Sequence, residues 1–570
     1  MTDVTSAPPT SSHAGKTGAQ ILNDILIEQG VTLLFGYPGG AVLPFFDVLY
    51  SSEINFILSR HEQGAIHMAD GYARSTGEVG CVLATSGPGA TNIVTGLATA
   101  MMDSIPMVAI TGQVKSHLIG NDAFQEADVT GITRPVCKHN YLCKDVNDLG
   151  RMVREAFYIA SSGRPGPVLI DIPSDVTTAI PDGEPNLEFN LPGYKPRGGQ
   201  GNDRQVKLAC EAINAAERPV LYVGGGVILS GASEELQAVA HKGKLPVTTT
   251  LMALGAFDET DDLSLRMLGM HGTAFANFAV QEADVLVSVG ARFDDRVTGD
   301  LSRFAPKAKI IHIDIDPASI SKTVKVDIPL VGDAKAILTQ MIEHIESPDR
   351  APWLKQIADW KTEYPMAYAT EGNIRPQEVI AMLGEKTDHD AIIATGVGQH
   401  QMWAAQFYGW KRPRQMLTSG GLGTMGYGVP AAIGAQFANP DKLVVDIDGD
   451  GSFSMTMVEV ITAVGYKMPT KFIVLDNDYL GMVRQWQEMF YGHRYSGVTH
   501  PCPDFSSIAK AFGAESIQVT EREDLSAAMD KMIASEGTFV LHVCVEKEEN
   551  VYPMVAAGKA LHEIIMPELI

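Results

Sequence analysis

The sequence predicts an α/β protein of three doubly wound parallel-sheet domains. Short unbroken apolar runs, the mark of strands buried on both faces, alternate with helix-length amphipathic stretches along most of the chain. That rhythm lapses twice, at 190–203 and 346–375, where Pro, Gly and polar residues dominate. The chain of 570 residues also exceeds what one core supports, the length prior being about three to four domains.

In chain order, 1–16 is a Ser/Thr/Pro-rich, apolar-poor segment, read as a flexible tail. It fits neither a signal nor a transit peptide, and a cytoplasmic location is expected. Lys16-Thr17 after Gly15 imitates the end of a P-loop, but Thr10 stands where its first glycine belongs and no strand precedes it. Domain 17–190 carries strand runs at 31–36, 80–87, 106–112 and 167–173; after the linker 190–203, domain 204–345 carries them at 219–226, 283–290 and 308–316. The stretch 346–375 is a second connection, 376–545 a third α/β domain, and 546–570 an amphipathic tail that would fold over a site as a lid. Neither TSGPGATN (85–92) nor GGGVILSG (224–231) completes GxGxxG, so a standard NAD-type site is not expected.

A formal charge of −24 argues against nucleic acid and anionic membranes as partners. Cys81, Cys137, Cys143, Cys210, Cys502 and Cys544 form no CxxC pair, which points to a reducing compartment with neither a disulfide framework nor a zinc site. The longest uncharged run, 79–102, is broken by glycines, Pro88 and Asn92, so no membrane span is predicted.

The most informative stretch is 442–481. The strand run LVVDI ends in Gly449-Asp450-Gly451, a helix-length segment follows, and the strand run KFIVL ends at Asp476-Asn477. Two parallel strands joined by a helix place Asp450 and Asn477 at neighbouring carboxyl ends, where open α/β sheets bind ligands. Oxygen donors there suit Mg²⁺ bridging to a diphosphate, the glycines admit phosphate oxygens, and the following helix presents its N-terminus. An EF-hand reading of Asp446, Asp448, Asp450 and Gly451 fails, because Met457 stands where the bidentate Glu is required and the upstream flank is strand-like.

GDGS (449–452) followed by Asn477 resembles the cofactor motif of thiamine-diphosphate-dependent decarboxylases and carboligases. The run LGMVRQWQ (480–487) is similar to the catalytic large subunits of the acetohydroxyacid synthase (acetolactate synthase) family, and the resemblance extends from about residue 17 to 558. It implies a thiamine-diphosphate-binding fold: pyrimidine-binding, FAD-binding and diphosphate-binding domains in that order. The implied activity decarboxylates pyruvate and ligates the hydroxyethyl unit to pyruvate or 2-ketobutyrate, for branched-chain amino-acid biosynthesis. The alternatives are a catabolic acetolactate synthase or another thiamine-dependent 2-ketoacid decarboxylase or carboligase, and, in a different class, an inactive thiamine-fold binding protein. Intact Glu62, Asp450 and Asn477 count against the last.

The resemblance also assigns residues. Asp450, Asn477 and Tyr479 would contact Mg²⁺, and Gln399, His400, Gly449, Gly451, Ser452 and Met482 the diphosphate side of the cofactor. Gly423 and Met425 would cradle its aminopyrimidine. Glu62 in HEQGA would hydrogen-bond the pyrimidine; unaided, a carboxylate there reads as an ordinary first-turn residue stabilising a helix by about 0.3–1 kcal/mol. Gly36, Tyr37 and Gly39 in the turn GYPGG, with Phe124 and Gln125, would lie beside a cofactor held by a second subunit. FAD contacts would be Arg164, Met270, His271, Gly272, Thr273, Gly290, Ala291, Arg292, Asp314, Ile315, Asp316 and Asp333. Arg296 would receive the carboxylate of the second ketoacid and Trp486 would pack against it. A homodimer or homotetramer is implied, with room for a small regulatory subunit. Two positions depart from the family: Asp476 replaces the first of two asparagines, and Ser174 follows Asp171-Ile172-Pro173 where Lys is usual.

Overall fold

The computed structural model describes residues 12–196 and 199–566. Most of the predicted tail, residues 1–11, lies outside them. Within the rest of it, His13 is buried and Ser12 Oγ donates to Glu184 at 2.7 Å, while Ala14 and Gly15 are exposed.

Residues 12–73 with 77–195 form one compact unit, and residues from 196 on, with 74–76, form the other. The first unit holds a six-stranded, wholly parallel sheet in the order Asn55–Leu58, Leu33–Gly36, Gly80–Ala84, Met107–Gln113, Pro167–Pro173, His139–Leu142. Helices Gly18–Glu28 and Val146–Ser161 bury their apolar stripes against one face, closing a core with Leu34, Val108, Ile110, Val168 and Ile170. Gly18–Glu28 begins where Thr17 and Gln20 cap each other reciprocally, so the Lys16-Thr17 pair belongs to a helix cap.

The second unit holds two more parallel six-stranded sheets. The middle one runs Ser264–Met267, Val247–Thr249, Pro219–Val223, Val285–Val289, Lys309–Asp314, Ile328–Val331. Taken along the chain this is third, second, first, fourth, fifth, sixth, the strand order of the dinucleotide-binding doubly wound fold. Its apolar runs are continuous because both faces are covered: Leu221, Val223 and Val287 join one core, Val220, Tyr222 and Leu286 the opposite one.

The last sheet runs Met416–Leu417, Ile392–Thr395, Val444–Gly449, Lys471–Asp476, Phe539–Cys544, Glu515–Val519. Its order (second, first, third, fourth, sixth, fifth) repeats that of the first sheet. The first and last sheets are therefore topological copies, and the middle one is not. Middle and last sheets share a core in which Leu254 and Met267 lie in one cluster with Tyr408 and Trp410, and the Trp410 N–H donates to Glu259 at 3.1 Å.

The connection 346–375 is more structured than its composition indicates. Ala351–Glu363 is a helix, with Trp353 and Ile357 buried against the middle sheet and Trp353 Nε1 donating to the Pro219 carbonyl at 3.2 Å. Its apolar residues do recur at helical spacing, but Pro352 and the flanking charges mask the pattern. In the C-terminal tail, Met554–Val555 pairs antiparallel with Ile564–Ile565. Among the described residues no helix is long and apolar enough to cross a membrane.

Candidate active site

In the last sheet the strand order reverses between Ile392–Thr395 and Val444–Gly449, and the loops at their carboxyl ends open into a cavity of about 500 Å³. From the first strand come Gln399 and His400, opening helix Gln399–Phe407; from the second come Gly449, Asp450, Gly451 and Ser452; from the third come Asn477, Tyr479 and Met482. Met425 completes the wall. Gly423, at φ +72°, is not part of the wall, but a Cβ on it would fall 3.9 Å from Val397, which is. Val397, Trp403 and Leu480 also line the space; Leu480 opens the LGMVRQWQ run, but the resemblance assigns a contact to none of the three.

The polar groups here are prepared for a ligand. Gln399 Nε2 is held by Gln485 Oε1 at 2.8 Å and the Glu549 carbonyl at 3.0 Å, while its Oε1 is buried without a partner. His400 faces Asp448 at 3.2 Å, and its Nε2 has no hydrogen bond of good geometry. A Cβ on Gly449 would come 2.7 Å from His400 Nδ1, and one on Gly451 2.7 Å from Leu480, so both glycines keep the backbone approachable. Asp450 accepts from the Gly451 N–H at 2.7 Å and from the Cys502 thiol at 3.3 Å. Burial, and then the neighbouring Asp476 carboxylate, push Asp450 up to about 7. A cation at this edge would relieve that repulsion. Asn477 Oδ1 accepts from the Tyr479 N–H at 3.1 Å. The unpartnered His400 Nε2 can donate to a diphosphate, and the unpartnered Gln399 oxygen with the paired carboxylates fits its divalent ion.

Asp476, the departure from the family pattern, is balanced. Burial alone would raise it, but His542, its Nε2 at 2.7 Å, outweighs that and holds the carboxyl below the usual range.

In the first unit the strand order reverses between Leu33–Gly36 and Gly80–Ala84. Gly36 ends the first of these strands and Tyr37 and Gly39 follow it, with a Cβ on Gly39 falling 2.5 Å from Thr85. Glu62 opens helix Glu62–Thr76, N-capped by His61 and stopped by Gly77 at φ +88°. It is partly buried, and Asn92 Nδ2 donates to its Oε2 at 2.9 Å. A Cβ on Gly89 would approach Glu62 Oε1 to 3.3 Å. Gly87 at φ +61° abuts Gln125, itself at φ +60°. The segment 85–92 thus touches Gly39, Glu62 and Gln125; tested only as a dinucleotide fingerprint, it had no assigned role. Phe124 projects into solvent, 88 % exposed.

The FAD-type residues of the second unit also gather at one sheet edge. Met270–Thr273 follow strand Ser264–Met267, Gly290–Arg292 follow Val285–Val289, Asp314–Asp316 close Lys309–Asp314, and Asp333 caps helix Ala334–His344. The middle sheet reverses between Pro219–Val223 and Val285–Val289, and Gly224–Gly226 there packs on Gly290, where a Cβ would come 2.7 Å from the Gly226 Cα. That glycine run lacks the fingerprint spacing, so sequence reasoning passed over it. Thr249 Oγ1 and His271 Nδ1 at this edge are buried without partners, and burial lowers His271 to about 4. Arg292 pairs with Asp294. Arg164 belongs to the first unit, where its Nε donates to Ser104 at 2.8 Å.

Arg296 and Trp486, far apart in sequence, meet. The guanidinium carbon stands 6.0 Å from the indole centroid, at the limit of a cation–π contact, and Asp295 is 3.6 Å away. Arg296 also lines a second cavity of about 380 Å³ with Met270, Val555 and Gly558. Tail residues thus form part of its wall, tied down by the Val555 N–H donating to the Met270 carbonyl at 2.8 Å.

Comparison with known proteins defines the class. Three family models match in chain order: the thiamine pyrophosphate enzyme N-terminal binding domain at residues 16–132, the central domain at 206–341, and the C-terminal binding domain at 396–543. The chain is 48% identical over 97% of its length to the acetolactate synthase catalytic subunit, mitochondrial, of Saccharomyces cerevisiae, covering 84% of that protein. It is 49% identical to the acetolactate synthase large subunits of Parasynechococcus marenigrum and Corynebacterium glutamicum, over 98% and 96% of the chain and 91% and 90% of those proteins. The chain belongs to the acetolactate synthase family of thiamine pyrophosphate enzymes.

Proposed function

We propose that the chain decarboxylates pyruvate and joins the remaining two-carbon unit to a second 2-ketoacid, giving 2-acetolactate from pyruvate or 2-aceto-2-hydroxybutyrate from 2-ketobutyrate. The observation that carries this is the single cavity at the reversal point of the last sheet, where Gln399, His400, Met425, Asp450 and Asn477 converge. Thiamine diphosphate, when bound, supplies the nucleophilic carbon that stores the electrons released with CO₂. Asp450, Asn477 and Tyr479 would hold Mg²⁺; Gln399, His400 and the N-terminus of helix Gln399–Phe407 would receive the diphosphate. Glu62 would hold a proton at the pyrimidine ring, with Asn92 fixing its carboxylate. The edge of the middle sheet would carry FAD, which has no redox task in a carboligation and so acts as a structural cofactor.

Arg296 would bind the carboxylate of the second ketoacid, and Trp486 would pack against its alkyl group. One buried methylene is worth about 1–3 kcal/mol, or roughly 10–200-fold in rate ratio. Trp486→Leu is therefore expected to lose most of the preference for 2-ketobutyrate while still making acetolactate. Arg296→Lys should weaken use of both acceptors, because a lysine cannot reproduce the guanidinium fork. The product ratio with both ketoacids present checks this. An unchanged ratio with collapsed turnover in Trp486→Leu would make Trp486 a packing residue.

The active unit would be at least a homodimer, in which Glu62 of one copy serves the cofactor of the other. Phe124 and Leu43 in the first unit, and Met455 and Val458 in the second, are apolar surface that a second copy would cover. Mixing Glu62→Gln with Asp450→Ala chains should restore activity, since one mixed site then has both native residues. Absence of rescue after confirmed subunit exchange would mean that each site is built within one chain. Six free cysteines fit a reducing, cytoplasmic setting, and a smaller regulatory subunit would be a further partner.

A further inference from the structure

The carboxyl edge of the last sheet carries donors that the function proposed above leaves unused. Asp476 ends its strand and is in direct register with Cys544 on the neighbouring strand Phe539–Cys544. His542 lies two residues before Cys544, so both project from the same face. One ligand atom from each of Asp476, His542 and Cys544 lies within 4.8 Å of the other two. His542 is buried, with Nε2 2.7 Å from Asp476 Oδ2. On the far side of the ring, its Nδ1 is 3.6 Å from Asp504 Oδ1 and has no hydrogen bond of normal length. Metal-binding histidines typically carry just such a carboxylate behind the ring, fixing tautomer and orientation.

We propose that Asp476, His542 and Cys544 form a binding site for a zinc-class divalent cation, with Asp504 orienting the histidine. An imidazole nitrogen, a thiolate sulfur and a carboxylate oxygen, with water as fourth ligand, are the donor set of a borderline-soft ion. Mg²⁺ prefers oxygen and would leave sulfur and nitrogen unused. The absence of CxxC spacing gave no hint of it, because these donors come from two strands brought together only by the sheet. On binding, the Cys544 thiol and the His542 imidazolium each release a proton to solvent as one divalent ion enters, so the site's net charge is unchanged. Because both ligands bind only after losing a proton, affinity should rise with pH. A second cluster, Asp450, Asp476 and Cys502, shares Asp476 and provides the internal comparison.

The test uses the full-length chain, reduced and stripped of metal, titrated with ZnCl₂ alone against a chromophoric chelator. Alkylation of each cysteine is followed in parallel by mass spectrometry; Cys502 and Cys544 are both partly exposed, and the other four are buried. The expected result is one tight equivalent of Zn²⁺ that slows alkylation of Cys544 but not Cys502, with no protection by Mg²⁺. Affinity should fall at least ~10-fold in Cys544→Ser and in His542→Gln, and persist in Cys502→Ser. Absence of a tight equivalent, equal affinity in Cys544→Ser, or protection of Cys502 instead of Cys544 would overturn the proposal. Should the variants misfold, the protection pattern on the native chain still decides.

Discussion

Asp450→Ala is expected to reduce acetolactate formation by more than ~100-fold, since removing even outer-shell partners of a metal costs about 10–100-fold in affinity or activity. The fold should survive. The carboxylate accepts from the adjacent Gly451 N–H and the Cys502 thiol; burial, and then the Asp476 carboxylate, raise it to about 7, and its loss removes both costs. The defect should appear first as lost cofactor affinity, measured by titrating thiamine diphosphate at saturating Mg²⁺ against intrinsic fluorescence. Native affinity in Asp450→Ala would remove this residue from the metal site and, with it, the placement of the diphosphate.

Glu62→Gln should slow turnover by about 10²–10⁴-fold, the range of general acid–base effects, with cofactor affinity little changed. The substitution keeps the size of the side chain and a carbonyl oxygen for Asn92 to donate to, but it cannot hold and return a proton. Exchange of the acidic ring proton of bound thiamine diphosphate, followed by quenched-flow NMR, isolates that step. Near-native exchange would show that Glu62 is only the first-turn carboxylate of its helix. Asn92→Ala should give a milder form of the same defect, because it frees the carboxylate without removing it.

Much of this architecture was legible in the chain because strands buried on both faces need uninterrupted apolar residues. The runs at 106–112 and 167–173 emerge as the fully buried strands Met107–Gln113 and Pro167–Pro173. Edge strands carry no such demand. His139–Leu142 is half-exposed and Met416–Leu417 spans two residues, so neither had a readable signature. Strand order was equally hidden, since local pattern does not report which strands pair. Only the structure shows that the first and last sheets repeat one order and the middle sheet follows another.

The site divides along the same line. Asp450 and Asn477 could be placed from sequence because a strand–helix–strand unit fixes their relation locally. The hydrogen bond from Asn92 to Glu62, the pair Asp476–His542 and the packing of Gly224–Gly226 on Gly290 join segments distant in the chain, and only folding brings them together. Arg296 and Trp486 are the instructive exception. A resemblance covering both segments assigned them to one ligand, the second ketoacid, and folding brings them to 6.0 Å of each other.

The most direct measurement is an acetolactate assay on the purified chain stripped of cofactors, with thiamine diphosphate, Mg²⁺ and FAD restored together and then each omitted in turn. The account predicts turnover of pyruvate to acetolactate with the full set, and its loss on omission of thiamine diphosphate or Mg²⁺. Acetolactate formation that persists without thiamine diphosphate, or no turnover with all three present in a folded protein, would contradict it.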